Sequence, residues 1–287
     1  AGDPHRGLDT PNCYYQNQIT CPDFDVVGLS FPGCPGFPHF GHNENVAWCV
    51  THAMADYQDL YIEKFQSNPK GTTYQWKGEE LEVQFRNESI KVAGHADHEI
   101  NLKSTIHGPI ISENSDGTRG IAFKYTSTAS INRGFEALIP QMTAYSVSEA
   151  DQAMEQWVDP CNNYMFVDVY GDIRYLNRGQ VPVRSIENAW LPVPGWTGDH
   201  EWEGSIPFKE MPRSANPDNG FIVTANNKII GDKFPYYMAL DYAPEFRAKR
   251  IVERIQGIDK ASVEDLVSIH SERTSIPASV YVPHILA

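Results

Sequence analysis

Two carboxylates three positions apart, Asp56 and Asp59, close the most ordered-looking stretch of this 287-residue chain. Ahead of them runs Phe31–Pro32–Gly33–Cys34–Pro35–Gly36–Phe37, then Phe40–Gly41–His42–Asn43–Glu44–Asn45–Val46–Ala47–Trp48, then Thr51–His52. Proline fixes φ and glycine supplies turns, so this is a device for shaping backbone. A short apolar strand follows it and ends in a polar loop, where paired carboxylates could hold an ion or a polar substrate. Two further pairs, His39/His42 and His95/His98, have a metal-like spacing. On a strand that spacing puts the rings on opposite faces, and no third ligand follows, which argues against a metal site. There is no Gly-x-Ser-x-Gly elbow, Walker loop, dinucleotide fingerprint or His-Glu-x-x-His, so the corresponding chemistries lack their motifs. Cys13, Cys21, Cys34, Cys49 and Cys161 contain no Cys-x-x-Cys pair, so a structural zinc is not expected. The first three lie in loop-like sequence and could pair in an oxidising compartment, while buried or free thiols fit them at least as well.

The formal charge is −14, which repels a phosphate backbone and excludes nucleic acid as a partner. No apolar run is long enough to span a bilayer. With 6 Trp, 14 Tyr and 13 Phe, the aromatic content favours pleated surfaces.

Those surfaces must position the candidate residues. Strands are expected at Tyr14–Ile19, Phe24–Phe31, Asn45–Thr51, Leu60–Phe65, Thr73–Trp76, Glu80–Ile90, Glu99–Thr105, Thr105–Ile111 and Gly120–Tyr125. Turn signals recur between them, one at Asn68–Pro69–Lys70–Gly71. Ser146 with Glu149 reads as a capping box opening a helix to about Trp157. Asn163–Val169 and Ile173–Asn177 form a hairpin about Gly171–Asp172. The stretch from Pro182 to Pro217 reads as an ordered loop packed by aromatics, and Gly220–Asn227 as a strand. Helices are expected at Pro244–Gln256, burying Phe246, Ile251, Val252 and Ile255, and at Ser262–His270, capped by Ser262 with Asp265. Many strands with few helices give the class α+β.

The same residues carry a family resemblance. Gly28-Leu-Ser-Phe-Pro-Gly-Cys-Pro-Gly, Phe40-Gly-His-Asn-Glu-Asn-Val-Ala-Trp, Thr51, Asp56 and Asp59-Leu-Tyr resemble the penicillin acylase family of N-terminal nucleophile amidohydrolases. Ala1–His5, Thr105–Ile110, Asn162–Tyr175, Leu191–Gly195, Trp202–Phe208, Asn216–Gly220 and Thr224–Asn227 follow in the family's order. The resemblance implies an αββα core built of antiparallel sheets. It also implies that residues 1–287 are one partial domain, the front part of a β chain cut at both ends.

In that family a precursor cleaves itself and exposes a serine whose own α-amine is the base. An α-amine titrates near pH 8, so it can accept a proton at neutral pH. Ala1 has no hydroxyl and cannot take the serine's place. The resemblance puts His5 beside the nucleophile residue and the backbone N–H of His52 as one oxyanion donor. It makes the amide of Asn226, with Asn227 one register away, the second donor, and has Arg247 orient that asparagine. Phe40, Val50 and Met54 fall where the family lines its acyl pocket, although core packing would explain them equally well. Asp56, Gln58 and Asp59 correspond to part of the family's calcium loop, and the resemblance implies one structural calcium there. A later aspartate ligand is replaced near Tyr236–Tyr237.

The expected activity is therefore hydrolysis of a linear amide in an acylated amine, such as a β-lactam or an N-acyl-homoserine lactone. The partners would be the α chain of the same precursor, the rest of the β chain and the small-molecule substrate. The family's usual setting is periplasmic or secreted. The alternatives are a non-catalytic β-rich module binding a ligand or carbohydrate through the Pro182–Trp202 stretch, or a relative that lost activity.

Overall fold

The computed structural model describes residues 1–69 and 71–287. Lys70, in the turn expected at Asn68–Gly71, lies outside the described residues. The strands are β1 (Tyr15–Thr20), β2 (Asp25–Ser30), β3 (Phe40–His42), β4 (Val46–His52), β5 (Gln58–Asn68), β6 (Gly71–Trp76), β7 (Glu79–Glu82) and β8 (Gln84–Ile90). They continue as β9 (His98–Thr105), β10 (Gly108–Glu113), β11 (Arg119–Tyr125), β12 (Asn162–Asp168), β13 (Ile173–Arg178), β14 (Val193–Pro194) and β15 (Arg213–Ala215). The helices are α1 (Thr126–Ala129), α2 (Leu138–Met142), α3 (Val147–Ala153), α4 (Phe246–Gln256), α5 (Val263–His270) and α6 (Ile276–Leu286). One sheet has the order β1-β2-β3-β4-β12-β13-β15, and the other β7-β6-β5-β11-β10-β9-β8. Neighbours along both orders are antiparallel, whereas β14 adds to β5 in parallel. The class is α+β, as the element pattern predicts.

Alternation along β4 explains the main core. Val46, Trp48 and Val50 are buried, and they cluster with Phe40, Tyr164 and Phe166 of the sheet, with Phe37 of the β2–β3 connection and with Leu138, Met142, Val147 and Ala150 of α2 and α3. A helical layer therefore covers one face of the first sheet. The Phe40–Trp48 run organises this contact. Asn43 Nδ2 donates to the carbonyls of Met142 (3.0 Å) and Ala144 (2.8 Å), while its Oδ1 accepts from the backbone of Asn45 and Val46. Trp48 Nε1 and Gln141 Nε2 both donate to the Phe37 carbonyl, at 2.8 and 3.1 Å. These bonds satisfy loop backbone that burial would otherwise leave unpaired.

Gly28 pairs with Gly41 across β2 and β3, where the strands approach closely. A Cβ at Gly28 would overlap the Phe40 carbonyl oxygen and lie 2.8 Å from the Phe37 ring. Gly28→Ala is expected to destabilise by about 1–3 kcal/mol through overpacking. Gly231→Ala, with nothing within 4 Å of its Cβ, should change stability by less than about 0.5 kcal/mol. Equal melting midpoints for the two variants would contradict this account of the β2–β3 contact.

Several expectations need correction. Glu80–Ile90 is two strands, broken at Val83, whose N–H turns back to the Thr72 carbonyl at 3.0 Å. Gly220–Asn227 joins no ladder and runs as irregular chain. Ser146 caps α3 by accepting from Glu149 N–H, but the Glu149 carboxylate takes the Tyr145 N–H rather than closing the box. α4 buries Ala248; Ile251, Val252 and Ile255 are half-buried and Phe246 is exposed. α6 went unread, although Ser275 caps it and Pro277 sits in its first turn. All five cysteines are free thiols.

Candidate active site

β4 ends at His52 beside the first turn of the chain toward Asp56. Ala53 N–H donates to the Cys161 carbonyl at 3.3 Å, and His52 faces Asn162 in the register. Hydrogen-bonded pairs alternate along an antiparallel ladder. His52 is therefore a non-bonded position, and its N–H turns away from β12.

The carbonyl of His52 receives two carboxamides. Asn226 Nδ2 donates to it at 3.0 Å and Asn163 Nδ2 at 3.1 Å. Arg247, from the first turn of α4, donates through Nη2 to Asn226 Oδ1 and to the Ala225 carbonyl, both at 2.8 Å. A guanidinium has only donors, so it must take the amide oxygen, which fixes Nδ2 toward His52. Tyr175 OH fixes Asn163 in the same way, donating to its Oδ1 at 2.8 Å. Thr51 and Thr224 join the two segments at 2.8 Å through their hydroxyls. A carboxamide carries two N–H groups, so one Asn226 N–H is not used on the His52 carbonyl. Asn226, Asn163 and Arg247 thus hold the His52 carbonyl, and with it the end of β4, in one orientation.

Two non-glycine residues here hold positive φ, Met54 at 60° and Asn226 at 63°. Asparagine tolerates this region and methionine does not favour it, so strain is concentrated at the site. The His52 ring is held below its ordinary pKa by burial and then by the charge of Arg6.

Sequence expectations map unevenly onto this geometry. His52, Asn226 and Arg247 are brought together. Asn227 turns elsewhere, accepting from Ala225 N–H and donating to the Lys228 carbonyl, which separates it from its neighbour. His5 is exposed, pairs with Asp3 at 3.4 Å and is no part of the bonded group. Phe40 and Val50 lie in the main core, while Met54 is 42% exposed. An open cleft of about 500 Å³ beside Tyr175 and Thr224 is lined by none of those three. Asn163 and Tyr175 were missed as site residues, because their signal is only strand alternation in β12 and β13. His39 is buried without a hydrogen-bond partner, and burial, then Arg178, lowers it to about 3. His42 is exposed, so the His39/His42 pair is split between core and solvent.

The calcium expectation meets a different cation. Arg184 Nη2 lies 2.9 Å from Asp56 Oδ2 and its Nε 2.6 Å from Asp59 Oδ2, with the Arg184 side chain fully buried. These are ion pairs by distance; the guanidinium N–H groups do not align as hydrogen bonds to them. Trp202 Nε1 and Asn188 Nδ2 also donate to Asp59 Oδ2, at 2.5 and 3.1 Å, and Tyr237 OH to Asp56 Oδ2 at 3.0 Å. Calcium takes six to eight oxygens. Here the groups around the carboxylates are donors, Gln58 is an exposed residue opening β5, and one buried oxygen, Asp59 Oδ1, lacks a partner. A divalent ion about 4 Å from a guanidinium meets a repulsion of about 8 kcal/mol at an effective dielectric near 20. The residues present do not fit calcium, and among the described residues no group of three or more His, Cys, Asp or Glu is placed to hold a metal.

The tryptophans of the Pro182–Trp202 stretch mostly face inward. Trp202 bonds Asp59, and Trp196 stacks under Lys64, whose Nζ is 3.6 Å from the ring centroid. Trp190 is the largely exposed tryptophan of the stretch.

The fold, two antiparallel sheets with few helices, has relatives that give the family. The penicillin amidase family model matches residues 1–287, and the chain belongs to that family. It is 41% identical over 275 residues to the penicillin acylase 2 proenzyme of Pseudomonas sp. (strain SE83), covering 96% of this chain and 35% of that protein. It is 26% identical over 278 residues to the acyl-homoserine lactone acylase QuiP of Pseudomonas fluorescens (strain Pf0-1), covering 96% and 34%. A thermostable penicillin G acylase from Alcaligenes faecalis superposes with a TM-score of 0.81 at 25% identity, covering 96% of this chain and 49% of that one. The chain thus spans about a third of the length of the curated relatives it matches. Among the described residues, no helix is long and apolar enough to cross a membrane.

Proposed function

We propose that the protein containing this chain is an acylase, hydrolysing the linear amide of an N-acylated amine such as a β-lactam or an N-acyl-homoserine lactone. The observation that carries this reading is the Arg247–Asn226–His52 chain of hydrogen bonds. It fixes the Asn226 carboxamide against the backbone of His52. In this reading an N-terminal serine elsewhere in the precursor attacks the amide carbonyl, and its α-amine takes the hydroxyl proton. The carbonyl oxygen gains negative charge, which His52 N–H and Asn226 Nδ2 stabilise. Collapse expels the amine, which takes up the proton, and water then releases the carboxylic acid from the acyl-serine. The α chain and the rest of the β chain complete the site. Maturation from a proenzyme, a periplasmic or secreted location and a link to antibiotic chemistry belong to the same reading.

The test is to express the whole precursor and follow amine release from penicillins and N-acyl-homoserine lactones. A correctly self-processed protein that cleaves none of them would end the proposal. Arg247→Met supplies a graded check. Loss of a hydrogen bond from a charged donor is worth about 1.5–3 kcal/mol, so kcat/KM should fall roughly 10- to 150-fold. Folding, read by circular dichroism, should be unchanged; an unaltered rate would contradict an orienting role.

A further inference from the structure

The Asp56–Asp59 loop is tied from four directions. Arg184 reaches both carboxylates, at 2.9 and 2.6 Å, from the segment after β13. Asn188 and Trp202 reach Asp59 from the long loop, and Tyr237 reaches Asp56 from the segment before α4. The guanidinium carbon of Arg184 also lies 5.2 Å from the Tyr237 ring centroid, a cation–π contact that holds the charge on its second side. Burial pushes the Asp59 carboxyl above its ordinary range, against the pull of Arg184, Trp202 and Asn188. An uncompensated carboxylate here would be costly, and the chain supplies the compensating charge itself.

We propose that Arg184 is the resident cation of this loop, doing covalently what a divalent ion would do as a bound ligand, so that the protein folds and holds its site without calcium. The inference does not rest on the amide-hydrolase reading, since it concerns what ties the chain between β4 and β5. A guanidinium has no dissociation equilibrium, so the tie does not respond to chelators. A bound ion would respond, because a ligand that binds only the folded state stabilises it in proportion to the logarithm of its concentration.

The experiment uses the full processed protein. Bound calcium is measured by atomic emission after gel filtration, and melting is followed in EDTA and in millimolar calcium. Terbium emission excited through tryptophan reports cation binding, because Trp202 touches Asp59. The wild type is expected to show midpoints in EDTA and calcium within about 1 °C of each other, and no terbium signal that Asp59→Asn abolishes. Arg184→Gln is expected to melt lower in EDTA, to recover partly in calcium and to acquire the terbium signal. The proposal is overturned if the wild type retains calcium that Asp59→Asn loses, or if Arg184→Gln melts in EDTA as the wild type does. Should Arg184→Gln fail to fold, through loss of the charge that faces the buried Asp59 carboxylate, the wild-type calcium and terbium measurements decide alone.

Discussion

Replacing Asn226 by Ala is expected to lower kcat of the complete enzyme by about 10²–10³, or roughly 2.7–4 kcal/mol of barrier, with KM little changed. The physical reason is that Asn226 Nδ2 is aimed before substrate arrives. Arg247 holds the amide oxygen, the His52 carbonyl holds one N–H, and the φ of 63° sets where the side chain leaves the backbone. Alanine also dislikes that φ, so Asn226→Ala alone would mix donor loss with backbone strain. Asn226→Gly removes the donor while keeping the backbone at ease. Donor loss predicts the same rate defect in both variants, whereas strain predicts a defect in Ala only. Full activity in Asn226→Gly would remove the residue from the catalytic account.

His107→Leu is expected to destabilise the fold by about 3–5 kcal/mol, because it leaves buried charge without its partner. The His107 ring is fully buried, with Nδ1 2.7 Å from Glu63 Oε1 and Nε2 3.0 Å from Glu201 Oε1. Carboxyl groups facing both ring nitrogens favour the imidazolium form. It stacks on Tyr61 with centroids 4.0 Å apart. Burial by itself would lower its pKa, but the hydrogen bonds and charges of Glu201 and Glu63 outweigh burial and raise it. Glu201 is likewise opposed by burial, yet hydrogen bonds from His107 and Trp76 with the charges of His107 and Lys124 bring it down to about 2. A raised histidine contributes stability that is complete below its unfolded value near 6.5 and is lost as pH rises through its higher folded value. A lowered glutamate contributes stability present above its unfolded value near 4.5 and lost as pH falls through about 2. The cluster therefore stabilises most between about pH 4.5 and 6.5. Urea midpoints measured across pH should show this shoulder in the wild type and not in His107→Leu; parallel curves would refute the assignment.

Sequence reading reached the strands with strong alternation, such as β4 and β11, and the helix starts with a side-chain cap, as at Ser262. The family resemblance pointed to His52, Asn226 and Arg247, and the fold brings these three together. It failed where partners come from distant segments. Arg184 sits in a Pro-rich loop with no pattern around it, and only the fold brings it to Asp56 and Asp59, which had read as metal ligands. Glu63, His107 and Glu201 are likewise far apart in the chain, and His107 lies in a turn that had read as the middle of a strand. Phe246 was misjudged because helical periodicity names an apolar face but not what covers it.

Asp59, Tyr61 and Glu63 alternate along one face of β5, and each meets the stretch from Arg184 to Glu201 directly or through one side chain: Asn188 to Asp59, the His200 carbonyl to the Tyr61 hydroxyl, and Glu201 through His107 to Glu63. With β14 bonded to the same strand, this stretch is stitched down rather than draped. A protease should find Arg184–Glu201 no easier to cut than the interior of the sheet, and its amides should exchange with deuterium as slowly as those of β5.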